Sequence, residues 1–223
     1  MKIALFGGTF DPIHAGHLQA AQAALRQFRL DRILFIPTGI PPHKLHNALT
    51  PFSHRYAMVA LACAGNRRFA ASLLEAPRDD GRPNYSLQTA RAAKRSLGRR
   101  HKLYFLIGVD AFLDLPHWKE YGRLLGTMDF IVASRPGFNA NTLRNVVPRG
   151  LLAIRQPPRP DTIALRHTAL YLLRGVDVPV ASRDIREAVR AGRRVAGLVP
   201  RLVEQYILKE GLYRSRGGGA HGA

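Results

Sequence analysis

The stretch from Met1 to His17 restricts this chain more than any other. Lys2–Phe6 is a short apolar run that reads as a strand, and it ends in Gly7-Gly8. A loop to Gly16 follows, and from about His17 to Phe28 the residues Leu18, Ala21, Leu25 and Phe28 recur at helical spacing. Glycines after a strand let the backbone come close to a ligand. The helix N-terminus beyond them offers free N–H groups and a positive dipole end, a natural seat for phosphate. No lysine follows in the Walker pattern, so the turn is not a P-loop.

The same alternation continues along the chain. Further strands are expected at Asp31–Pro37, Phe69–Leu74, Lys102–Ile107, Asp129–Ser134 and Thr168–Leu173. Helices are expected at Ser53–Ala64, with Ser53 as N-cap, and at Tyr85–Leu97, Asp184–Ala191 and Pro200–Lys209, with Pro200 in the first turn. This pattern predicts an α/β fold, a Rossmann-like doubly wound, mostly parallel sheet with helices on both faces. We expect one domain over residues 1–213, with a small C-terminal helical part at about 182–213 and a disordered glycine-rich tail at 214–223. Ligands of such sheets bind beyond the carboxyl ends of the strands, where strand order reverses. Gly7-Gly8, Pro41–Lys44, Gly108–Asp110 and Arg135–Gly137 all fall at those ends, which makes one composite site the expectation.

Composition narrows the function class. No apolar run approaches the roughly 20 residues of a membrane span. Cys63 is the single cysteine, so an internal disulfide is impossible and a reducing cytoplasm fits. It lies in an apolar helical stretch, which speaks for packing over catalysis. The net charge of +19 suits either nucleic acid or small polyanions such as ATP. The excess is mostly arginine spread along the chain. Its densest patch, Arg91–Lys102, reads first as a solvated helix face, and no RNA-binding signature or zinc-finger spacing supports nucleic acid.

His14 and His17 are three residues apart where the loop enters the first helix. Their rings can converge on an anion and donate hydrogen bonds to it. Each could instead cap the helix. Zinc is a further possibility for His and Asp, but cysteine ligands and a second histidine cluster of recognised spacing are lacking, so no metal ligands are assigned.

The segment Gly7-Gly8-Thr9-Phe10-Asp11-Pro12-Ile13-His14-Ala15-Gly16-His17 resembles the GxFxPxHxGH signature of the HxGH nucleotidyltransferase superfamily. Other segments resemble bacterial nicotinate-nucleotide adenylyltransferases: Pro41-Pro42-His43-Lys44, Asn84–Thr89, Ile107-Gly108-Val109-Asp110, Trp118, Ser134–Gly137, and Gly197–Pro200 with Val203 and Tyr206-Ile207. The resemblance covers nearly the whole chain. One element departs: where the family reads ISxTxxR, this chain has Val180–Arg186, with Arg183 in the threonine position. Ser182 could still cap the helix, and Arg183 is expected to face solvent.

The resemblance implies transfer of AMP from ATP to nicotinate mononucleotide, giving deamido-NAD and pyrophosphate. It implies catalytic roles for His14, His17 and Arg186. ATP would be bound by Gly8, Thr9, Phe10, His14, His17, Lys44, Gly108, Asp110, Ser182, Ile185 and Arg186. The mononucleotide would meet His43, Lys44, Tyr85, Ser86, Thr89, Trp118 and Arg135. Asp110 could alternatively cap a helix starting at Ala111, Trp118 could be plain core, and His43 could simply line its loop. Mg²⁺ would travel with ATP, held by phosphate oxygens and water. Thr38–Pro51 is long enough to be a lid. The competing readings are preference for the amide mononucleotide, a pantetheine-phosphate adenylyltransferase or cytidylyltransferase, and a basic nucleic-acid-binding module.

Overall fold

The computed structural model describes residues 1–41, 49–98, 100–134, 138–176 and 179–214. Its strands are β1 (Lys2–Gly8), β2 (Arg32–Pro37), β3 (Phe69–Ala71), β4 (Lys102–Gly108), β5 (Asp129–Ala133), β6 (Thr162–Ala164) and β7 (Ala169–Leu173). They form one sheet in the order β3-β2-β1-β4-β5-β7-β6, parallel throughout except for the β6–β7 pair at one edge. Successive strands step away from β1 in both directions. The order therefore reverses between β1 and β4, the point where such a sheet opens a crevice at its carboxyl edge.

The central strands read as continuous apolar runs because both faces are covered. In β1, Ile3 and Leu5 pack on one face, with Leu87 and Ala90 of α3 (Ser86–Leu97) and Phe112 of α4 (Val109–Leu113). Ala4 and Phe6 point to the other. There they meet Ala21 and Leu25 of α1 (Ala15–Gln27), Met58 of α2 (Phe52–Cys63), Ile185 of α7 (Ser182–Arg190) and Val203 of α8 (Arg201–Lys209). Two short helices, α5 (Tyr121–Leu125) and α6 (Asn141–Val146), complete the set.

The doubly wound fold matches the expectation, and several local details differ. Helix α1 starts at Ala15, two residues earlier than its apolar periodicity suggests, because His14 and Gly16 carry no apolar signal. Pro51, rather than Ser53, is the N-cap of α2, and Pro200 occupies the N-cap position of α8 instead of its first turn. The Phe69–Leu74 run pairs only over Phe69–Ala71, where β2 supplies partners. Strand β6 and the short helices α4, α5 and α6 had no recognisable periodicity, being too brief to show one. Among the described residues, no helix is long and apolar enough to cross a membrane.

Candidate active site

A cavity of about 830 Å³ opens at the carboxyl ends of β1 and β4. Its walls bring together Gly8, Thr9, His14, His17, Gly108 and Asp110 with Tyr85, Ser86, Thr89 and Trp118. Residues scattered from position 8 to 118 thus share one chamber, as the switch-point argument requires.

At one end, His14 is the N-cap of α1 in extended conformation and is only 7% exposed. Its backbone N–H donates to His17 Nδ1 at 3.3 Å. With Nδ1 accepting, the neutral His17 ring carries its proton on Nε2. The two rings are stacked, and His17 also meets the Phe10 ring edge-on at 5.0 Å between centroids. Burial lowers the His14 pKa to about 4. Burial lowers His17 well below the usual imidazole value, and the neighbouring His14 adds to the effect. Both rings are therefore neutral at pH 7. An arriving anion would favour their protonated forms.

Gly8 is needed where it stands. A Cβ there would lie 3.0 Å from the Phe10 ring. Phe10 itself is 2% exposed, packed on Phe6 and Phe35, and backs the cavity wall rather than lining it. Ile185 is likewise fully buried in the core beneath the site.

The loop from Thr9 to Ile13 is fastened from several sides. Arg186 Nη1 donates to the Asp11 carbonyl at 2.7 Å, and Ser182 Oγ donates to the Pro12 carbonyl at 2.9 Å. Ser182 therefore does not cap α7, whose N-cap is Ala181. The Ala15 N–H donates to the Leu198 carbonyl at 2.8 Å, tying the start of α1 to the C-terminal helices. Arg183 faces solvent beside Asp184 and Glu187, with 77% of its side chain exposed.

Asp110 does not cap a helix from Ala111: it lies inside α4, whose N-cap is Gly108, and it borders the cavity. Elsewhere on the cavity wall, Trp118 is half-buried, packs against the apolar core and donates from Nε1 to Asp114 Oδ2 at 3.2 Å. It is both core and cavity wall. Tyr85 is the N-cap of α3 and carries the Lys119 ammonium 4.6 Å from its ring centre. Thr89 Oγ1 donates to Glu75 Oε1 at 2.7 Å. His43, Lys44 and Arg135 lie outside the described residues, as do residues 42–48 of the expected lid.

Sequence reasoning missed several residues here. Glu75 is 5% exposed and lines the cavity. Burial raises its pKa, against the opposing hydrogen bonds from Thr89 and Thr38. Asn84 Oδ1 accepts the Ile40 N–H at 3.0 Å, joining the segment before α3 to the loop after β2. Arg55, 1% exposed, donates to the carbonyls of Thr9, Thr38, Gly39 and Thr50 at 2.7–3.2 Å. Its signal was present: Arg55 shares a helical face with Met58 and Val59, and a cation on such a face must have built-in acceptors. Glu75 had no comparable signal.

The cytidylyltransferase-like family model matches residues 5–197 of the chain. A relative from Geobacter sulfurreducens, named "Probable nicotinate-nucleotide adenylyltransferase", is 39% identical over 221 residues, covering 97% of this chain and 100% of that one. A relative of the same name from Desulfotalea psychrophila is 39% identical over 217 residues, covering 95% of this chain and 99% of its own length. Among solved structures, nicotinic acid mononucleotide adenylyltransferase of Plasmodium falciparum complexed with NaAD superposes with a TM-score of 0.71. It is 18% identical and covers 95% of this chain and 97% of that chain, a likeness of fold.

Proposed function

The chain belongs to the cytidylyltransferase-like family, among the nicotinate-nucleotide adenylyltransferases, and on that footing we propose that it makes nicotinate adenine dinucleotide. It transfers AMP from ATP to nicotinate mononucleotide and releases pyrophosphate, as a step of NAD biosynthesis. The observation that carries this reading is the shared cavity, whose walls hold paired imidazoles at a helix N-terminus together with the aromatic rings of Trp118 and Tyr85.

In this reading an oxygen of the mononucleotide phosphate attacks the α-phosphorus of ATP. The new P–O bond forms as the bond to the β-phosphate oxygen breaks, and pyrophosphate leaves with the electron pair. A phosphomonoester with a second pKa of about 6 is already anionic, so no general base is needed. The protein's work is alignment and charge neutralisation. His17 donates from Nε2, His14 from its ring and Arg186 from its guanidinium, to the oxygens on which charge accumulates. Gly8 and Thr9 let the nucleotide approach the backbone, while Gly108 and Asp110 border its ribose. Ser182 and Ile185 shape the floor through α7. Trp118 stacks on the pyridine ring beside Tyr85, Ser86 and Thr89. The uncapped N-terminus of α3 favours a carboxylate over an amide there. His43, Lys44 and Arg135 are assigned to the phosphates and the mononucleotide from their motifs alone.

Mg²⁺ enters with ATP in this scheme. Among the described residues no group of three His, Cys, Asp or Glu side chains could hold a metal, so no protein cage is assigned and no step depends on one. We treat residues 1–213 as one catalytic unit. We assign it to the cytoplasm, on the single Cys63, which leaves no internal disulfide.

Pyrophosphate release with ATP tests the reading, comparing kcat/KM for nicotinate mononucleotide, its amide and phosphopantetheine. The acid is expected to be the best acceptor. Better turnover of the amide or of phosphopantetheine would move the substrate assignment. No turnover, together with salt-sensitive nucleic-acid binding, would overturn the enzyme reading.

A further inference from the structure

The last described turn of the chain reaches back to the loop that follows β1. Beyond α8, Gly211 and Tyr213 take left-handed backbone conformations, with φ of 61° and 64°. The Tyr213 hydroxyl donates to Asp11 Oδ1 at 2.7 Å and lies 3.9 Å from Met58 Sδ. Asp11 is only 3% exposed. Its Oδ2 accepts the Thr50 N–H at 3.3 Å, and its backbone carbonyl accepts Arg186 Nη1 at 2.7 Å. The Arg55 cation acts on the same carboxylate. One buried residue in the motif loop thus joins the C-terminal turn, the segment before α2, and α7.

A buried carboxylate is held in place by the donors that satisfy it. Thr50 supplies one, from a loop. Tyr213 supplies the shorter bond, from a ring packed against α2. Burial and the Asp11 charge push the phenol pKa up, so it stays a donor across the working pH range.

We propose that Tyr213 is a positioning residue for the phosphate end of the active site. By fixing the Asp11 side chain it fixes the Asp11 carbonyl that holds Arg186, and with it His14 further along the same loop. The inference rests on the adenylyltransferase reading only in taking Arg186 and His14 to face the phosphates of ATP. Displacements of an ångström at such groups are enough to cost a large factor in rate.

The test is Tyr213→Phe, which keeps the ring and removes one O–H. The control is Tyr206→Phe, which removes a hydroxyl on α8 that meets His54 Nδ1 of α2 at 2.8 Å rather than Asp11. Tyr213→Phe is expected to lower kcat/KM for ATP by about 10-fold or more, on the scale of a lost positioning contact. The KM for nicotinate mononucleotide should stay within about twofold of the parent value, and Tyr206→Phe should match the parent in both. Asp11→Asn is expected to show the same split and, combined with Tyr213→Phe, no further loss. Calorimetric binding of a non-hydrolysable ATP analogue needs no acceptor, so it reads the Tyr213 effect even where the acceptor has been misassigned. Parent-like kinetics and analogue affinity in Tyr213→Phe would overturn the proposal. So would an equal loss in Tyr206→Phe, or a loss that merely tracks Tm.

Discussion

The imidazoles of His14 and His17 lie face to face, with 3.7 Å between ring centroids and 27° between planes. The backbone N–H of the first donates to Nδ1 of the second, so one hydrogen bond sets the tautomer of His17 and aims its Nε2 proton away from its own backbone. Replacing His17 by Ala should therefore remove a placed donor. A loss of about 10²–10³ in kcat is expected, on the scale of a missing oxyanion donor. Steady-state pyrophosphate release measures it, and near-parental kcat/KM would reduce the ring to a structural part.

The same burial makes the fold sensitive to acid. His14 has a folded-state pKa of about 4 against 6.5 unfolded. Between those values the unfolded chain binds the proton and the folded chain does not, so stability falls as pH drops from 6.5 towards 4. Above that window these groups contribute no pH dependence. The loss from His14 amounts to about 3 kcal/mol. Tm followed from pH 8 to pH 4 should fall in this range, and His14→Gln should flatten the decline. Identical profiles for parent and variant would contradict the assignment.

Trp118 forms a wall of the cavity while its indole N–H is held by Asp114. Trp118→Ala should raise the KM for the mononucleotide more than that for ATP, since stacking on a base is worth about 1–3 kcal/mol. The reverse order would remove Trp118 from the pyridine pocket.

Arg55→Leu would leave four carbonyls without their donor at the junction of two site loops. We expect a loss of about 3–5 kcal/mol in denaturant unfolding. Arg55→Lys restores charge without the planar fork and should fall between. A change below about 1 kcal/mol for Arg55→Leu would show that the loops are held by other contacts.

At Gly39 an added Cβ would lie 2.1 Å from the Glu75 carbonyl oxygen and 2.7 Å from Asn84 Oδ1. Both neighbours line the cavity. Gly39→Ala should cost about 1–3 kcal/mol of stability through forced displacement. It should also raise the mononucleotide KM by perturbing that end of the site. Unchanged Tm and KM would mean the loop yields freely.

The legible part of the molecule was the part governed by neighbours in sequence. Glycines after an apolar strand, two histidines at a helix start and alternating strand and helix periods fixed the sheet class and the chamber's location. The strand ends placed Gly8, His14, His17 and Asp110 at that chamber, and the resemblance to the adenylyltransferases added Tyr85 and Trp118; all six line the one cavity. The sequence left Ser182 open as a cap, because a hydroxyl at a helix start has several possible partners and only the fold brings the Pro12 carbonyl within reach. It could not tell on which side of the turn the Phe10 ring would pack; the structure buries that ring against Phe6 and Phe35.

What tertiary structure alone decided are the contacts across long loops. Tyr213 meets Asp11 at a separation of 202 residues, Arg186 meets Asp11 at 175, and Arg55 reaches Thr9 across 46. Local propensity carries no record of such pairs. Each is chosen by which buried donor and acceptor the packed sheet and helices leave within about 3 Å of each other, where an unpaired polar group would be costly. The residues from Gly7 to His17 determined what kind of ligand this chain can hold; the packing of its C-terminal helices determined how firmly those residues are held in place.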